Sequence, residues 1–269
     1  MKATAAQRAT RIALGILAVL VVAWMVLPTL IVIPISFTTR RVMVFPPDGF
    51  TLQWYERFFT DPKWYEAALT TLQVSLLSAI LATILGTAAS LGLMRVRPSW
   101  RIGLAGFYLT PMIFPIIVIA IGFYAVALQL GLIGTIAGFV AAHTVIAFPF
   151  VVTSVFAGLQ GFDTRLELAA RSLGANYFVT FFRVTMPMIM PSVMAGFIFA
   201  FVVSLDEVVL SLFLKDPYIS LLSIQMYSSM VDAVDPTVAA TASMVLVTTT
   251  VIIGIGLFVA TRGLRRRTR

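Results

Sequence analysis

Six stretches of this chain are each long and apolar enough to cross a bilayer as a helix: Ile12 to Phe37, Ala68 to Met94, Gly103 to Leu128, Ile133 to Leu159, Met188 to Leu214 and Val238 to Val259. A hydrocarbon core of about 30 Å takes about 20 helical residues. Within it every backbone N–H and C=O needs an internal partner, which leaves helices or closed barrels. Barrel strands would alternate apolar and polar residues over segments of about 10, and these runs are apolar throughout. Hydrophobic residues make up 60% of the chain and charged ones 11%, against about 25% charged in soluble domains. The expectation is an all-α membrane protein, with six transmembrane helices forming one domain over residues 1–269. Pro28, Pro34, Pro111, Pro115 and Pro149 fall inside or near the ends of these runs, which is tolerated where neighbouring helices cover the freed carbonyls. The first run exceeds a typical signal-peptide core and no A-x-A-type site closes it, so it is expected to be a retained span.

The net charge of +8 is segregated. Lys2, Arg8 and Arg11 precede the first run, and Arg95, Arg97 and Arg101 fill the second connection. Arg165, Arg171 and Arg183 outnumber Asp163 and Glu167 in the fourth, and Arg262, Arg265, Arg266, Arg267 and Arg269 end the chain. The first connection balances Arg40, Arg41, Arg57 and Lys63 with Asp48, Glu56, Asp61 and Glu66, and the fifth sets Lys215 against Asp216, Asp232 and Asp235. Positive residues collect on the cytoplasmic side of membrane proteins. Both termini and the fourth connection are therefore expected in the cytoplasm. Basic residues that flank spans do not form a nucleic-acid groove. With no cysteine and one histidine, disulfide, zinc-thiolate and histidine-cluster chemistry are excluded, and no metal site is expected. His143, in the fourth run, reads as a satisfied core or path-facing residue.

Two segments between runs are structured by composition. Phe45-Pro46-Pro47-Asp48-Gly49 reads as a turn. The following Trp54, Tyr55, Phe58 and Phe59 suit a short helix lying at the headgroup level, or one that caps the outer mouth by packing. Residues 215–235 are too polar at both ends to span and too apolar for a solvated loop, which suits a re-entrant or surface-lying segment. No repeat with a 20–50-residue period is present.

The connection over residues 160–187 carries the most specific pattern: Glu167-Leu168-Ala169-Ala170, then Gly174, then Val184, Met186 and Pro187. Small alanines let another protein approach the backbone, and Gly174 can take the left-handed φ that ends one short helix. Asn176 can cap a second, which Pro187 and Pro191 are expected to stop as the next span begins. The spacing resembles the EAA loop of ABC-importer permeases (E-A-A, three residues, G, nine residues, I-x-L-P). Leu168 stands where that loop usually has its glutamate, one residue after Glu167. The segments running from Phe45 to Tyr55 and from Ser204 to Ser211 are similar to the spermidine/putrescine branch of these permeases.

The resemblance implies a type I importer fold, with the loop acting as a coupling helix. It implies two ATP-binding cassette ATPase subunits, a second permease (a sister chain), a soluble solute-binding protein outside, and alternating access that passes a small solute inward. The location implied is a bacterial inner membrane, crossed several times. The chain lacks a G-x-x-x-x-G-K-[ST] loop, so ATP and Mg²⁺ would be used by the partner and this chain would bind no cofactor. The coupling residues are then Glu167, Leu168, Ala169, Ala170, Gly174, Val184, Met186 and Pro187.

Ser204, Asp206, Glu207 and Ser211 form the second candidate set. A carboxylate within a span is rare unless it pairs or faces water. On a continuous helix Ser204, Glu207 and Ser211 would share a face, with Asp206 about 100° away. They would line a path that favours cations, or pair with a partner subunit, or sit near the outer surface. Two other functions would leave different marks in the sequence. An intramembrane enzyme would need paired catalytic groups beyond Asp206 and Glu207, and an ion-coupled secondary transporter would show inverted repeats.

Overall fold

The computed structural model describes residues 5–232 and 234–267; Lys2 and Arg269 lie outside the described residues. Along the chain run α1 (Ala5–Ile35), α2 (Gln53–Thr60), α3 (Pro62–Arg95), α4 (Pro98–Ile113), α5 (Ile116–Gln129), α6 (Ile136–Gln160), α7 (Arg165–Ser172) and α8 (Tyr177–Thr180). A π-helical stretch (Phe181–Thr185) leads into α9 (Met186–Leu205), followed by α10 (Val209–Leu214), α11 (Leu222–Asp232) and α12 (Thr237–Arg267). Among the described residues there is no strand. Five helical segments are long and apolar enough to cross a membrane, and a bent pair, α4 with α5, makes up to six.

The third expected span is therefore not one straight helix. α4 and α5 meet at 96°. Pro115 has no N–H to continue the helix and drives the preceding residue out of the α region; Phe114 is extended, at φ −77° and ψ 143°. The fifth span also differs from its expected bounds. It runs unbroken from Tyr177 to Leu205 and stops before the run ends at Leu214. Pro187 and Pro191 do not stop it. In the π-helical stretch the Met186 N–H reaches back to the Phe181 carbonyl, and the widened turn relieves the clash a proline ring makes in a regular helix.

The chain divides into two units, Met1–Asp61 with Ser228–Val247, and Pro62–Tyr227 with Thr248–Arg269. In the first, the Trp54 indole N–H donates to the Thr38 carbonyl at 2.6 Å, and the Ser36 and Tyr55 hydroxyls bond at 2.6 Å. Phe37 packs on Phe50 and Tyr55. Trp54 and Phe58 are buried while Phe59 is exposed, so packing fixes the inner side of α2. Arg40 pairs with Asp48. Asp235 caps the start of α12 through the Thr237 N–H at 2.9 Å and receives Arg57 at 3.3 Å.

The second unit is built on α3, α6 and α9, which pack on one another. Apolar side chains give no driving force between helices in lipid, so close approach through small residues matters. α3 presents Ser78, Ala82, Gly86 and Ser90 at four-residue spacing, all buried. The Ser78 and Ser90 hydroxyls donate to the Val140 and Val152 carbonyls of α6, each at 3.2 Å. A β-carbon on Gly86 would lie 2.7 Å from Val151 Cγ1. One core cluster joins Val151, Val155, Ile189, Val193 and Ala200, and a second joins Phe139, Ala142, Leu210, Leu214 and Ile224. α11, with 11 residues, is too short to span. The Leu222 N–H that opens it donates to Thr71 Oγ1 of α3 at 2.7 Å.

Candidate functional site

Between α6 and the long helix that starts at Tyr177 lies α7. No residue of α7 is buried. Leu168 is 61% and Leu173 90% exposed, and Ala169 is exposed as well. Gly174 takes φ +89°, where a β-carbon is strained, and the chain reverses there into α8. Asn176 caps α8 by accepting the Val179 N–H at 2.9 Å.

Glu167 turns inward. Its Oε1 accepts the Thr185 hydroxyl at 2.5 Å, tying α7 to the π-helical stretch, and Thr185 is buried. The loop motif thus folds back on itself. Glu167 meets the segment holding Val184 and Met186, which are half-buried, while Leu168, Ala169 and Pro187 stay exposed. Thr185 and, apart from Glu167, the residues of an adjoining pocket carry no signal in the motif and become visible only in the fold. That pocket, of about 250 Å³, is lined by Arg95, Glu167, Arg171, Tyr177, Thr180 and Phe181.

The second candidate set is divided by a helix break. The continuous face expected through Ser204, Glu207 and Ser211 is absent, because α9 ends at Leu205 and α10 begins at Val209. Glu207 Oε1 accepts the Leu210 N–H at 2.9 Å, supplying a partner that a preceding helical turn would otherwise provide. Glu207 is only 8% exposed, whereas its neighbour Asp206 is exposed. Among the described residues neither carboxylate has an ion-pair partner in the chain.

His143 gathers the two serines. Its Nδ1 lies 2.8 Å from Ser204 Oγ and 3.0 Å from the Ser204 carbonyl, and its Nε2 lies 3.0 Å from Ser211 Oγ. The ring is fully buried and joins α6 to both sides of the break. The Glu207 carbonyl accepts from Ser211 and from Ser223 of α11, each at 2.9 Å. Ser223 keeps that carbonyl satisfied even when the Ser211 proton turns to the histidine. Among the described residues no cluster of histidine and acidic side chains suits a metal ion.

The family model for the binding-protein-dependent transport system inner membrane component matches residues 82–267. The chain belongs to that family. It is a transmembrane permease subunit of an ABC importer. It is 32% identical over 231 residues to the spermidine/putrescine transport system permease protein PotC of Escherichia coli (strain K12), covering 86% of this chain and 87% of the relative. The putrescine transport system permease protein PotI of the same strain is 29% identical, with 81% and 80% covered. Among solved structures the permease superposes on a bacterial ABC transporter involved in the import of the acidic polysaccharide alginate. That match has a TM-score of 0.71 and 16% identity, covering 96% of this chain and 98% of the other. The MetNI methionine ABC transporter gives 0.64 at 16% identity, covering 76% and 99%. At these identities the superpositions speak for the fold.

Proposed function

We propose that this permease imports a small cationic solute of the polyamine class. A soluble binding protein would deliver the solute, and ATP and Mg²⁺ would be used by separate ATP-binding subunits. The relatives named for spermidine and putrescine support the solute class. Exposed Asp206, with no cation paired to it among the described residues, supports it independently, since an unpaired carboxylate at the end of an apolar helix offers a cation an electrostatic partner. Glu207, Ser204 and Ser211 then hold the break that presents Asp206.

The observation that carries the coupling role is α7 itself, an unburied helix beyond Gly174 from an unbroken membrane helix and tied to it by Glu167 and Thr185. On this reading Leu168, Ala169, Ala170 and Gly174 meet the ATP-binding subunit, while Val184, Met186 and Pro187 transmit its movement. Both termini and this loop lie in the cytoplasm, and a sister permease completes the pathway. ATP shifts the arrangement only if the partner binds the two states differently.

The test is a reconstituted complex in which each candidate solute, delivered by the binding protein, is scored for stimulation of ATP hydrolysis. A polyamine should stimulate, and Asp206→Asn should reduce its uptake with assembly intact. Gly174→Val should separate hydrolysis from transport. If only uncharged or anionic solutes stimulate, the solute assignment is wrong.

A further inference from the structure

The loop offers its partner a positive rather than a negative group. Leu168 is apolar and exposed, and the neighbouring Glu167 is turned onto Thr185. The Asp163 carboxylate accepts the Arg165 N–H at 3.0 Å. Arg95, from the end of α3, and Arg171, from α7, line the same pocket of about 250 Å³ as Glu167, so two guanidinium groups face one carboxylate there. Among the described residues neither guanidinium is within ion-pair distance of a carboxylate. Arg95 Cζ lies 4.6 Å from the centroid of the Tyr177 ring, a cation–π contact, and a guanidinium also carries a planar N–H edge. A planar carboxylate matches that edge with two parallel hydrogen bonds. The cavity suits one side chain rather than a whole element.

We propose that the pocket of Arg95 and Arg171 receives an acidic side chain of the ATP-binding subunit. The charge polarity of this contact is then opposite to that of a loop anchored by its own glutamate. The inference rests on the coupling role proposed above and adds the chemistry of the partner. Exposed Leu168, Leu173 and Phe178 supply the apolar part of the same surface.

The experiment uses the permease co-expressed with its ATP-binding subunit, with association measured at low and high salt. Arg95→Glu and Arg171→Glu should each weaken association about tenfold or more. Changing the matching acidic residue of the partner to lysine should restore it. Arg95→Lys and Arg171→Lys should fall between, keeping charge but losing the planar fork. Recovery of the solubilised permease checks folding, and Arg171→Gln serves if a reversal variant is not recovered. Gly174→Val runs in parallel. If it uncouples transport while the arginine variants associate normally, the loop docks but the pocket takes no carboxylate, and this inference alone fails. If none of the variants has an effect, the coupling role fails with it. If association is unchanged and the variants instead lose retained anionic lipid, the occupant is a headgroup and the inference is overturned.

Discussion

His143 holds three helices with one ring. Removing it deletes the bonds to Ser204 and Ser211 and leaves a cavity in a fully buried site. His143→Ala should cost about 2–4 kcal/mol, read as a lowered unfolding temperature of the detergent-solubilised permease. Glu207 is a subtler case. Its Oε1 caps α10 through the Leu210 N–H, so Glu207→Gln, which keeps an acceptor there, should remain near wild-type stability. Glu207→Ala should lose about 1 kcal/mol. A partner ion pair at Glu207 would remove that difference, with Gln as damaging as Ala once the complex is assembled. The adjacent carboxylates look alike in the sequence because the apolar run continues across them. Their division into one buried cap and one exposed charge comes from a break that neither proline nor glycine marks.

At the scale of elements, the seam between α3 and α6 is legible in retrospect as Ser78, Ala82, Gly86 and Ser90 at four-residue intervals. Hydropathy placed the helix but not its neighbour, since which small residues face which helix depends on rotation about the axis. Gly86→Val tests the seam. Its β-carbon would meet Val151 Cγ1 at 2.7 Å and Cβ at 2.8 Å, atoms next to the α6 backbone rather than at a flexible tip. The expected loss is about 1–3 kcal/mol, with lower yield from membranes. Gly92, six residues further along and open to space, is the control, and Gly92→Ala should be tolerated. The bend between α4 and α5 follows from Pro115, which the sequence displayed. The passage of the long helix through Pro187 and Pro191 was hidden, because a π-turn is a hydrogen-bond register and leaves no compositional trace.

For the whole molecule, the helical class, the membrane setting and the loop motif were readable because each rests on composition or on fixed spacing. The partners inside the fold were not, as Glu167 with Thr185 and His143 with Ser211 pair residues 18 and 68 apart in the chain. The proposed topology makes a simple prediction. Single cysteines introduced into this cysteine-free chain at Asp48 and Asp232 should react with an impermeant thiol reagent from outside the cell, and one at Leu173 only after the membrane is opened. The reverse pattern would invert the positive-inside assignment. The unbroken helix from Tyr177 to Leu205 has a mechanical consequence of its own. Its 29 residues make a rod of about 43 Å, so a tilt of about 10° at one end sweeps the other through about 7 Å. Asp206 follows the last residue of that rod, and α7 is fastened to it at Thr185, about 12 Å from its start. A small rocking of the loop is thereby carried along the helix and becomes a displacement of several ångströms at the carboxylate.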